Sequence, residues 1–449
     1  MQRTVRWLLA LLMTAVIAGS GLPAQAGHRQ DPHTKNLRPK GHIVEPASLI
    51  NPEIGNPNIH TDIAFWGRHA FQGAWLGFNI RNISSPQNPK QVSFTSCSGD
   101  QGDVVVWGDV LVRSWNSPAE EGATCDGDRV PVGFEGLHVF DISDKKDPEL
   151  IGAVELSAGS VPVGCGSHTA SGVPDLAHDR LLVYNSSSSE DCPWIDIVQV
   201  PLNDPSNASL LRQEPAQRQC HDTGVILGAA RLASCAGGDG FTVWSLGGRR
   251  GGSRANPKFL YSRSVPGVTV GHSAVFTWDG EVLVFGHEPG GGVDAECEAA
   301  DAPRKKSAFF FDAEDGDFLG KWTLPRPQSA QENCSIHNYN VVPLPSGRYV
   351  LVSGNYQAGT WVTDFTKPGN AVTLGWSDPP PLPVPEGSPF CAPVGCEIGG
   401  AWSSYWYNDF IYETNITEGL NIFRFTGRQT AGAVHLGHLN PQTQEFTLR

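Results

Sequence analysis

The chain has 449 residues and a formal net charge of −14, with charged residues at only 17% and Gly (51), Pro (34) and Trp (13) plentiful. That acidity argues against nucleic acid and anionic membrane surfaces as partners. Many turn residues and few helix formers predict an all-β chain.

Arg3 and Arg6, the apolar run WLLALLMTAVIAG and the Ala24-Gln25-Ala26 tripeptide read as a secretory signal peptide over 1–26, cleaved after Ala26. No later apolar stretch reaches the roughly 18 residues of a membrane helix. The expected product is secreted, extracellular and without integral membrane contact. Ten cysteines in an oxidising compartment are expected to pair. Nearest-neighbour pairing predicts Cys97–Cys125, Cys165–Cys192, Cys220–Cys235, Cys297–Cys334 and Cys391–Cys396. No CxxC pair exists, which gives a thiol zinc or redox site no support.

Residues 27–57 are polar, rich in Pro and Asn, and read as an extended N-terminal arm. Residues 58–449 read as a single domain of seven units. Each unit gives a strand, a hairpin, a second strand, a loop, a third strand and, after a Pro, a fourth. Unit one covers about 60–96, and unit two contains DVVVWGDVLVRS and GLHVFDISDKKDPELIGAVEL. Unit seven begins near Gly400, with AGAVHLGHL as its expected last strand. LHVFDI, FTVWSL and LNIFRF alternate with period two, as strands require. Seven four-stranded units without helical periodicity predict a disulfide-stabilised, seven-bladed β-propeller of antiparallel blades.

VFDISDKKDPELIGAVEL (139–156), NIRNISSPQNPKQVSF (79–94) and VQVPLNDPSNASLLR (198–212) together resemble the LVIVD repeat, a propeller-blade repeat of secreted and surface proteins. The resemblance implies the fold and leaves the function open.

A histidine heads the first strand of four successive units: His168, His221, His272 and His337, spaced 53, 51 and 65 residues apart. First strands line a propeller's channel, so these imidazoles are expected to converge at its mouth. There they could bind Cu, Zn or Fe through neutral ring nitrogens, with His60 as a further candidate. Alternatively, each could pin its strand to neighbouring backbone. His287 and Glu288, at the end of a second strand, are expected on the same face, as are Asp222, Asp100, Asp103 and Trp402. The DAEDGD run (312–317) lacks the EF-hand spacing and reads as a turn.

No nucleophile–base–oxyanion set can be assembled, so catalytic residues stay unassigned. Two functions remain. One is an extracellular scaffold binding a protein, glycan or small-molecule ligand through the channel face. The other is a metal-dependent oxidase or hydrolase built on the histidines.

Overall fold

Side chains leave a strand on alternate faces, so runs such as Gly136–Asp141 bury apolar residues on both sides when packed between neighbouring sheets. The computed structural model describes residues 31–44, 58–157, 164–187, 189, 191–292, 296–330, 332–380 and 399–448. The expected leader and the Cys391–Cys396 pairing lie outside them. Among the described residues the protein is all-β, with short 3-10 turns and no α-helix. Among those residues no helix is long and apolar enough to cross a membrane.

The strands form successive antiparallel meanders. Their first strands are His60–Trp66, Val104–Trp107, Thr169–Asp175, Thr223–Ile226, Gly271–Phe276, Asn338–Val341 and Ala401–Tyr407. Each first strand packs against the next, and Ala401–Tyr407 returns to His60–Trp66. A closed cycle of inner strands with meanders running outward is a β-propeller arrangement.

A β-bulge recurs between third and fourth strands, at Ile80/Arg81, Val139/Phe140, Ile197/Val198, Val243/Trp244, Phe310/Phe311 and Val362/Thr363. Such bulges add local twist, which the outer edge of each sheet needs. The loops that follow are Asx turns: Asp141 Oδ1 accepts from Ser143 N at 2.7 Å and Asp364 Oδ1 from Thr366 N at 3.0 Å. DAEDGD is the same device, with Asp312 Oδ1 accepting from Glu314 N and Asp315 Oδ1 from Asp317 N.

The last meander differs from the sequence expectation. Its outer strand is Leu37–Ile43, from the N-terminal arm, paired antiparallel with Gly419–Phe425 and carrying its own bulge at Pro39/Gly41. An outermost strand buries little, here Leu37 and Gly41, so LRPKGHI shows no apolar alternation to read. The AGAVHLGHL segment goes to the channel instead. His438–Leu439 pairs with Phe65–Trp66, and Thr443–Gln444 runs parallel to Val225–Ile226. Between them, Asn440 exchanges two hydrogen bonds with the backbone of Val106, both 2.9 Å.

Among the described residues four disulfides join Cys97–Cys125, Cys165–Cys192, Cys220–Cys235 and Cys297–Cys334, the pairings that neighbour spacing predicts.

Candidate metal centre at the channel mouth

His168 and His337 immediately precede first strands, His221 stands two residues before one, and His272 is the second residue of its strand. In three cases a disulfide anchors the incoming chain, at Cys165, Cys220 and Cys334. His272 is instead the extra residue of a bulge between Gly271 and Ser273, which aims its side chain at the axis. The four rings form an arc with centroid separations of 4.4 Å (His168–His221), 4.2 Å (His221–His272) and 4.0 Å (His272–His337). All four line one cavity of about 530 Å³.

Every ring spends the same nitrogen on the protein. His168 Nδ1 meets Asn116 Oδ1 at 2.6 Å, and Asn116 is oriented by donating its own Nδ2 to Asp100 Oδ1 at 2.9 Å. His221 Nδ1 lies 3.1 Å from Asp222 Oδ1. His337 Nδ1 donates to the carbonyl of Trp402 at 2.6 Å. His272 Nδ1 is 2.6 Å from Ser273 Oγ, whose hydroxyl donates to the His337 carbonyl at 2.6 Å and so accepts from the ring. Acceptors on all four Nδ1 atoms fix the Nδ1–H tautomer and leave four Nε2 lone pairs. A metal-binding histidine needs this support from behind.

Burial keeps the imidazoles neutral. It lowers His221 to about 4 and His337 to about 3, and holds His168 and His272 well below the usual histidine range, helped by neighbouring rings. The carboxyls shift the other way. Burial raises Glu288 to about 7 although the Tyr356 hydroxyl donates to Oε1 at 2.6 Å. Burial raises Asp222 to about 7 as well. Glu288 Oε1 stands 3.7 Å from His337 Nε2.

Two groups have ligand atoms close enough to share one ion: His272 with Glu288 and His337, and His221 with Asp222 and His272. Their donor chemistry, neutral imidazole with a carboxylate, fits Zn, Cu or Fe. Cys97, Cys125 and His138 are also close, but the sulfurs are already bonded to each other.

The remaining candidates separate. Glu288, Asp100 and Trp402 line the cavity with the four histidines. Asp103 sits deeper in the channel, accepting from Ala170 N and Val104 N at 2.8 Å. Asp222 also lies below the rings, where Asn338, with its amide oriented to donate, reaches Asp222 Oδ2 at 3.0 Å. His287 points away from the mouth, its Nε2 2.6 Å from the Arg304 carbonyl and its ring against Phe309. His60 is fully buried near Arg81 and does not line the cavity; Thr61 and Asp62 take the channel positions of that strand.

Sequence reading missed Asn116, Ser273 and Tyr356, which hold the ligands, and Asp62. A polar residue directly follows each mouth position: Thr169, Asp222, Ser273, Asn338. That regularity was available as a signal.

No protein-family model and no curated protein matches the sequence. Among solved structures, the chain is similar to the Dos1 propeller at 10% identity and a TM-score of 0.48, over 86% of this chain and 82% of that one.

Proposed function

We propose that the protein is a secreted, seven-bladed β-propeller with LVIVD-like repeats that acts as a metal-dependent enzyme on a small molecule. One divalent transition-metal ion (Zn, Cu or Fe) would be held at the channel mouth by Nε2 of His272 and His337, with His221, His168 and Glu288 completing its surroundings. The observation that carries this reading is the shared polarity of the four rings, every Nδ1 committed to an acceptor and every Nε2 left over at one cavity. Four independent pinning contacts would not need to choose the same nitrogen.

Such an ion supplies a Lewis acid, and Cu or Fe also one-electron chemistry. The chain's own contribution would be orientation and proton handling. Asn116, Asp222, Ser273 and the Trp402 carbonyl fix the rings. Glu288, held by Tyr356, can give or take a proton at Oε1 beside His337. A cavity of about 530 Å³ suits a small ligand better than a protein partner. The leader-like first 26 residues and four disulfides support export.

Elemental analysis of protein purified without an affinity tag tests the proposal. Stoichiometric Zn, Cu or Fe, lost in the His221→Ala/His272→Ala double variant, is the expected result. Protein that stays metal-free after incubation with each ion would end it.

A further inference from the structure

The mouth cavity has two unlike walls. Beside the histidines is a separate apolar cluster of Ile59, Tyr356 and Ile416, with Trp75 and Trp402 packed on it. All five side chains line the same cavity. The wall adjoins the candidate ligands directly: the Trp402 ring is 4.7 Å from His337 and edge-on to it, and the Tyr356 ring is 4.4 Å from His337. A molecule resting on Trp402 therefore lies beside the metal position.

Some lining amides are already committed to the protein. Asn116 commits both ends of its amide to His168 and Asp100, and Gln219 gives its oxygen to Gly238 N. Asn333 is different. It is 5% exposed, its Oδ1 accepts from Ser335 N, and its Nδ2 donor has no partner among the described residues. A buried donor left this way weakens the fold unless water or another group supplies an acceptor. The described lining residues include no Lys or Arg, while Asp100 and Glu288 are carboxyls. Apart from a bound metal ion, phosphates and other anions would meet no counter-charge there.

We infer that the cavity takes a neutral, monoaromatic hydroxyl compound, its ring against Trp75 and Trp402 and its oxygen toward the histidines. Aromatic walls recognise a flat apolar ring through area and edge-to-face geometry. The assignment rests on the metal reading only for the end of the ligand that faces His272 and His337.

Calorimetric titration of phenol into metal-free and metal-loaded full-length protein tests this, with glucose and inorganic phosphate as comparison ligands and metal content measured on each sample. Saturable phenol binding is expected, with neither comparison ligand bound. Trp75→Ala and Trp402→Ala should each weaken it about tenfold, and Trp75→Phe should restore most of the loss. Phenol binding with this Trp dependence in protein that never retains metal would support this inference and sink the metal centre alone. Retained metal without phenol binding, phenol binding unaffected by either Trp→Ala variant, or tighter binding of glucose or phosphate would overturn the inference.

Discussion

His272 Nδ1 lies 2.6 Å from Ser273 Oγ, and that hydroxyl passes its own proton to the carbonyl of His337 at 2.6 Å. One serine thus orients one candidate ligand and ties it to the strand that carries the next. The wall of the site is cross-linked between neighbouring units at the level of the rings.

Ser273→Ala should therefore weaken metal binding while removing none of the four imidazoles. Loss of such an outer partner typically costs about 10–100-fold in affinity. Competition against a chromophoric chelator measures it. Ser273→Thr keeps the hydroxyl and should bind within a few-fold of the parent. Equal affinities for all three proteins would show that Ser273 plays no part in holding the metal.

The pH dependence of metal retention follows from the buried imidazoles. An ordinary histidine site begins to lose its ion as protons compete near pH 6.5. Here burial lowers His221 to about 4 and His337 to about 3, so both rings stay neutral well below that. Protein dialysed at about pH 5 should keep most of its metal. Complete release by about pH 6 would show that the rings titrate normally.

The sequence carried the mouth histidines and the meander order because both repeat. Departures from the repeat were harder to read. His287 ends the strand Val282–His287 and Glu288 is the next residue, so only one of the two faces the cavity, and the strand alternation sends His287 toward Phe309. His60 looks equivalent to His168, yet Thr61 and Asp62 line the channel. The irregularity between His60 and Ile63 sets that register, and a one-residue shift exchanges the two faces. Leu37–Ile43 was illegible as a strand because its pairing partner, Gly419–Phe425, lies at the other end of the chain.

Asp196 offers a test of electrostatics away from the site. It lies buried in Trp194–Pro201, and burial raises its carboxyl to about 7. An unfolded aspartate ionises near 3.9. Between those values the folded chain holds a proton that the unfolded chain has released, so this group's contribution to stability falls as pH rises from about 4 to about 7. Asparagine stays neutral throughout. Asp196→Asn should gain on the parent across that window, by up to about 4 kcal/mol at pH 8 relative to pH 4. Urea unfolding at both pH values reads the change; a difference independent of pH would contradict it.

Ring closure depends on the N-terminal strand. Leu37 is fully buried among Val342, Leu344, Trp406 and Phe423. Leu37→Ala should cost about 2–5 kcal/mol, as large-to-small changes in a packed core do. Denaturant titration would show the midpoint falling. An exposed residue of the same strand, Arg38, should tolerate alanine with little change.

The other terminus determines which end of the channel is open. Asn440 acts as a piece of backbone, accepting from Val106 N and donating to Val106 O where no strand can pair. Thr443 adds a hydrogen bond to the Gly172 carbonyl at 2.8 Å, and Gln442 reaches Asp62. Together these contacts tie the C-terminal segment to the ends of inner strands opposite the histidines, leaving the mouth as the route to the rings. Asn440→Ala strands the buried Val106 groups and should cost about 1–3 kcal/mol. Its distinctive effect should be local. Hydrogen exchange should quicken at Val106 and Val225, whose amides face the C-terminal segment, and stay unchanged at His337 N, which is held by the Gly354 carbonyl. Uniform acceleration across all three would mean that Asn440 supports global stability and does not specifically seal the channel.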